Sequence, residues 1–259
     1  LAEELTPSGS GLLLMSGAAH RIGPTPEQVA RMPVDVVVFA TCGGDDDPLL
    51  EHFVERGVPV VVVDGPEHDG TSLLAVDDRA GTVEAARHLA ELGHTRVATV
   101  TLPLGSDGRR GWVDDDRRRA VRFAVCRERL AGVTDVFGPV PTVETAANLI
   151  EEGEIAARVL LAECDITAVM VQSDLLAVGV VRAAEELGRR VPENLSVVGF
   201  DGIETPWLGE RRLTTIAQPT TEKGRIAGRM VTDYLAGRRP ESRRLPVQLI
   251  IADTTAPPS

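Results

Sequence analysis

The run VPVVVVD, residues 58–64, has no polar side chain until its last position. Successive side chains on a strand point to opposite faces, so six apolar residues in a row must bury both. A strand finds that environment in a parallel sheet with helices packed on each side. VDVVVFA (34–40) carries apolar residues on both faces, and LSVVGFD (195–201) repeats the pattern and ends, like 58–64, in an acid. Such strands impose an α/β architecture and leave an aspartate at the open end of an apolar run.

The intervening segments read as the helices that this architecture needs. TPEQVARM (25–32) has Thr25 as N-cap, Pro26 at the first position and Gln28 to complete a capping box. DPLLEHFVERG (47–57) is capped by Asp47 and stopped by Gly57, which makes a cap the reading preferred over a metal site built from Asp45, Asp46 and Asp47. The segment 78–94 places Val83, Ala86, Leu89 and Ala90 on one face, with Gly93 past its end. Helices are also predicted over 114–132, 143–162, 173–188 and 221–237. Further strands are predicted at 12–17, 73–76, 95–101, 134–138, 166–172, 214–218 and 244–252. Strands separated by helices of this length indicate βαβ crossovers. They are too many for one compact sheet, so two α/β lobes are expected, with ligands beyond the carboxyl ends of the strands.

Composition narrows the function. The 259 residues carry a formal net charge of −12, which repels phosphate backbones and makes this chain alone a poor nucleic-acid binder. Only 3% of residues are aromatic, so the core is aliphatic, and Lys223 is the sole lysine. Cys42, Cys126 and Cys164 show no metal or redox spacing and fit a reducing compartment. No stretch approaches the roughly 20 apolar residues of a membrane span. Residues 1–11 show no secretion signal. No nucleophile elbow, phosphate-cradling glycine loop or zinc helix occurs, and the five histidines pair with no nucleophile. Neither an enzyme nor a cofactor is expected.

VDDRAGTVEAARHLAELGHTRVATV (76–100), SDLLAVGVVRAAEELGRRVPENLSVVGFDGIE (173–204), LTTIAQPTTEKGRIAG (213–228) and LPVQLIIADTTAPP (245–258) together resemble Lac-repressor (LacI-type) transcription regulators, in order and in spacing. The resemblance implies a type I periplasmic-binding-protein-like fold: two Rossmann-like lobes with parallel sheets, three crossovers and a ligand in the cleft. The N-terminal lobe is expected at 1–76 plus 218–239 and the C-terminal lobe at 77–217 plus 240–259. Against the family pattern the chain starts near the end of the first helix. The first strand and the DNA-binding helix-turn-helix are expected to be absent from it.

The resemblance also nominates site residues. Asp201 matches the first acid of the family's "GFDd" stretch, where its two acceptor oxygens suit a polyol, against an alternative role as a turn cap. Arg117 matches the arginine before an aromatic, although RRRAV leaves the register open to Arg118. Ser173 stands where relatives carry Asn, with Asp174 as the helix N-cap. Asp64 ends a first-lobe strand. Asn148 falls where relatives place an aromatic wall, and Trp207 or Trp112 could replace that wall. Thr41 and Thr101 complete the candidates.

The expected function is the effector-sensing and dimerising part of a cytoplasmic LacI-type regulator. It would bind a sugar or related metabolite and reach operator DNA through an N-terminal domain, as a homodimer contacting through the helices 47–57 and 221–237. The alternative is the solute-binding protein of a sugar importer, which shares the fold.

Overall fold

The computed structural model describes residues 1–15, 24–40, 44 and 47–259. The elements begin with α1 (Ala2–Leu5), α2 (Pro26–Val29), β1 (Val37–Phe39), α3 (Pro48–Glu55), β2 (Val60–Val63), β3 (Ser72–Val76) and α4 (Asp78–Glu91). Next come β4 (Val97–Thr101), β5 (Gly111–Trp112), α5 (Asp115–Arg119), α6 (Ala124–Phe137), β6 (Thr142–Glu144) and α7 (Ile150–Glu163). The chain continues with β7 (Ala168–Val171), α8 (Asp174–Glu186), β8 (Ser196–Asp201), β9 (Thr214–Ala217), α9 (Thr220–Leu235), β10 (Arg243–Leu245) and β11 (Gln248–Ile250).

These elements divide into two compact units. The first comprises Leu1–Val76, Arg122–Val125 and Pro219–Leu245, and the second Asp77–Val121, Cys126–Gln218 and Pro246–Ser259. Residues 240–245 thus stay with the first unit, where the sequence placed them in the second. The cause is β10, whose Arg243–Leu245 run parallel to Leu74–Val76 of β3. The predicted strand 244–252 is broken at Pro246 into β10 and β11, which join different sheets.

The first unit holds a four-stranded parallel sheet in the order β1-β2-β3-β10. The Val60–Val63 run buries both faces as its composition demands. Val60 and Val62 pack with Leu49, Leu50 and Phe53 on one side, and Val61 packs with Ile226, Met230 and Val231 on the other. Thr25, Pro26 and Gln28 form the capping box read from the sequence, and Asp47 caps α3 by accepting the Leu49 N–H at 2.9 Å. Residues 12–15 form no strand. They have no ladder partner among the described residues, and Leu14 is 88% exposed.

The second unit holds a seven-stranded sheet in the order β11-β9-β8-β7-β4-β6-β5. Its five inner strands are parallel, and an antiparallel strand closes each edge. Aliphatic clusters pack on both faces. Three local expectations change here. The helix over 114–132 divides because the charged α5 buries nothing, whereas Val121 and Phe123 are buried in the stretch between α5 and α6. Residues 134–137 extend α6 instead of forming a strand, and Gly138 ends it at φ 71°. The start of the predicted helix 143–162 is β6, paired with β4, and α7 begins only at Ile150.

The segment after β11 is laced back onto the sheet. Val197 N–H donates to Thr254 O at 2.8 Å, and Thr254 Oγ1 donates to Val197 O at 2.7 Å. The buried His94 ring meets Ala256 O through Nε2 at 2.9 Å and Thr167 Oγ1 through Nδ1 at 2.8 Å. Among the described residues no helix is long and apolar enough to cross a membrane.

Candidate functional site

The carboxyl ends of β4, β6, β7 and β8 bring most of the nominated residues of the second unit to one rim. Asp201 closes β8 at φ 127°, outside the conformations that a non-glycine residue ordinarily takes. Gly202 follows at φ 72°, where an added Cβ would lie 2.6 Å from Ala217. Gly199 is equally constrained, because a Cβ there would stand 2.2 Å from the Asp174 carboxylate. The spacing of SVVGFDG thus follows from two close approaches and one strained turn.

Asp174 holds that turn, accepting the Ile203 N–H on Oδ2 at 2.9 Å and the Thr215 hydroxyl on Oδ1 at 2.6 Å. Asp174 is wholly buried, and desolvation, reinforced by the nearby Asp201 charge, pushes its pKa up to about 7. Asp201 accepts from Gln218 Nε2 at 2.8 Å, lies 4.0 Å from Arg129 Nη1, and keeps 26% of its side chain exposed.

Ser173 is the N-cap of α8, the role the sequence assigned to Asp174. Its Oγ accepts the Leu175 N–H at 3.2 Å, and the residue is buried. Asp174 is instead drawn inward to Thr215 and Ile203.

Arg117 is tied down by two carboxylates. Its Nε and Nη2 donate to Glu144 at 2.8 and 2.5 Å, and its Nη1 and Nη2 donate to Asp107 at 2.9 and 2.8 Å. Glu144 Oε1 also accepts the Leu104 N–H at 2.7 Å. The guanidinium is held fully protonated, by Glu144 above all, and Arg117 in turn draws the Asp107 carboxyl below its ordinary range. Arg117 contacts neither Asp201 nor Ser173 in the hydrogen bonds and ion pairs that hold it. β8 and the β6 end that anchors it are three strand spacings apart, on the order of 14 Å.

The remaining candidates separate. Trp207, in the short turn Pro206–Leu208 after β8, is 46% exposed, and Asn148 is exposed between β6 and α7. Trp112 is half-buried on β5 and packs against the core. Thr101 is fully buried at the end of β4, with its Oγ1 unpartnered. Asp64 belongs to the first unit, where it ends β2 at φ 53° and accepts from Lys223 on Oδ2, leaving Oδ1 buried without a partner. Thr41 lies outside the described residues, as do Asp45 and Asp46. Among the described residues no group of three metal-ligating side chains converges.

Sequence reasoning missed Arg129 and Glu144. Arg129 is 4% exposed, donates Nε to Asp78 Oδ1 at 2.7 Å and Nη1 to Gln172 O at 2.5 Å, and stacks 3.5 Å from the centroid of Phe200. A signal existed, since Arg129 shares a helix face with buried Val125, Cys126 and Val133. Glu144 was hidden by the helix assignment over β6. A cavity of about 10 Å³ lies beside Arg129, Thr99, Gln172 and Phe200, enough for at most one water and far too small for a sugar.

Comparison with known proteins agrees with this architecture. Residues 86–255 match the periplasmic binding protein-like domain family. The chain is 35% identical to the HTH-type transcriptional regulator Rv3575c of Mycobacterium tuberculosis, over all of this chain and 74% of that protein. Among solved structures, a LacI-family transcriptional regulator from Corynebacterium glutamicum superposes with a TM-score of 0.81 at 29% identity, covering 89% of this chain and 70% of the other. A LacI-family regulator from Enterococcus faecium, solved with bound ribose, gives 0.71 at 27% identity, covering 89% and 83%.

Proposed function

We infer function from one premise: this chain belongs to the LacI family of transcriptional regulators and is an effector-binding domain of that family. We propose that its effector is a sugar or a similar polyhydroxylated metabolite, taken at the strand-end rim where Asp201 stands. The observation that carries this reading is the division of labour between two aspartates. Asp174 holds the turn through the Ile203 N–H, and Asp201 keeps 26% of its side chain exposed at the rim. A carboxylate accepts hydrogen bonds from hydroxyl groups. The exposed Trp207, six residues on, offers an apolar face of the kind that packs against sugar rings. The ribose-bound relative supports the ligand class.

The proposal extends to a cytoplasmic homodimer that reaches operator DNA through a further domain. The net charge of −12 supports a DNA contact made elsewhere than on this chain. Sedimentation at tens of micromolar tests the dimer, and a monomer under those conditions counts against it.

A thermal-shift screen of neutral sugars, nucleosides and small metabolites, followed by calorimetry on the hit, tests the effector. Asp201→Asn keeps the side-chain shape and removes the charge. Affinity should fall on the order of tenfold to a hundredfold, since a hydrogen bond to a charged group is worth roughly 1.5–3 kcal/mol. Unchanged affinity would sink the role of Asp201.

A further inference from the structure

We propose that Asp107 is a specificity-determining residue that closes the Arg117 guanidinium to anions, so that the rim accepts neutral or cationic, donor-rich ligands and rejects carboxylates and phosphate esters. The proposal rests on the rim being the effector site. It is carried by the geometry at the carboxyl ends of β4 and β6.

Arg117 has two bidentate carboxylate partners of different character. Glu144 is 1% exposed and also binds the Leu104 N–H, so it is built into the sheet end. Asp107 is 54% exposed, on the loop GSDG (105–108), and fills the outer edge of the guanidinium with Nη1 and Nη2 contacts of 2.9 and 2.8 Å. That edge is the fork an incoming carboxylate or phosphate would take. Gly105 lies against the same guanidinium, since a Cβ there would be 3.4 Å from Nη2. The loop therefore sits on Arg117.

The neighbouring cations are matched in the same way. Arg110 meets Glu152 at 2.9 Å and Arg109 lies 3.7 Å from Asp114. Three guanidiniums thus face four carboxylates, Asp107, Asp114, Glu144 and Glu152. Each of these three guanidiniums is thus already engaged by a carboxylate. An anion arriving there meets repulsion and an occupied fork, a design that discriminates by what it repels. A ligand bringing hydroxyl or ammonium donors meets acceptors.

The test titrates inorganic phosphate, at constant ionic strength set with sodium chloride, into the wild-type chain, Asp107→Ala, Asp107→Asn and Asp107→Ala/Arg117→Lys, read by calorimetry. Asp107 is exposed, and lysine at 117 keeps a charge against buried Glu144, so all four proteins should fold, as their melting curves will report. Asp107→Ala should bind phosphate on the order of tenfold more tightly than wild type, because the fork opens and a repelling charge goes. Asp107→Asn should gain less, and the double variant should lose the gain with the fork. Wild-type binding equal to that of Asp107→Ala, or a gain that survives Arg117→Lys, overturns the proposal. A sugar screen without hits would instead overturn the effector class and leave the phosphate result standing.

Discussion

Asp64 in the first unit and Asp201 in the second are the same feature built twice. Each ends a strand buried on both faces, and each sits at positive φ, 53° and 127°. Their partners differ. Asp64 is closed by the chain's only lysine, with its second oxygen buried and unpartnered. Asp201 takes a neutral amide from Gln218 and a longer ion pair, 4.0 Å, from the Arg129 guanidinium that also binds Asp78. A direct ion pair fixes its carboxylate as structure. An amide partner and a longer ion pair accompany a carboxylate that stays 26% exposed. The comparison teaches that a strand-end acid is read from its partner and not from its position.

Removing the cation on each side is the strongest way to break this contrast. Arg129→Met should destabilise the second unit by about 4 kcal/mol, because it removes the guanidinium that binds the buried Asp78. Urea unfolding should show the loss. If Arg129→Met were near neutral, the guanidinium would not be the counter-charge the geometry suggests. Lys223→Met should cost the first unit about 3 kcal/mol, since Asp64 is less completely buried than Asp78. Hydrogen exchange in β2 and α9 checks it. A drop confined to the other unit would contradict the assignment.

A smaller effect sharpens the same contrast through pH. Asp174, beside Asp201, has its pKa raised from 3.8 to about 7. Between those values the folded state binds more protons than the unfolded one. This group's stabilising contribution is therefore full below pH 4 and falls as pH rises toward 7. The slope is at most about 1.4 kcal/mol per pH unit. Chemical denaturation of the second unit at pH 5, 6 and 7 should show the decline, and Asp174→Asn should flatten it. An unchanged slope in the variant would remove Asp174 as its source.

Much of this was legible in advance. Both-face burial in 58–64 and 195–201 announced parallel sheets, and the Thr25 and Asp47 caps are where the sequence put them. What stayed hidden depends on contacts distant in the chain. Thr142–Glu144 is too short to show a period and becomes a strand only beside β4. Arg117 carried the right chemistry, yet its availability was decided by Asp107 and Glu144, 10 and 27 residues away. Ser173 took the cap assigned to Asp174 because Thr215, 41 residues from Asp174, captures the latter. Propensity and spacing report on neighbours in sequence, whereas the vacancy of a donor is set by neighbours in space.

The lacing of residues 254–256 onto Ser196 and Val197 bears on how a ribosome delivers this molecule. Synthesis runs from the amino end, so β4, β7 and β8 emerge long before the strand and tail that cover them. Until residue 256 has been made, His94 and Ser196 lack their Ala256 partner, and β9 keeps an unpaired edge that β11 would cover. The first unit waits almost as long, for α9 and β10. Both units therefore complete themselves only once residues 220–256 have been made. Contacts of such long sequence separation are slow to form, and an open sheet edge invites pairing with other chains. Truncation upstream of β11 should therefore leave the β9 edge open and favour aggregation over a smaller folded product.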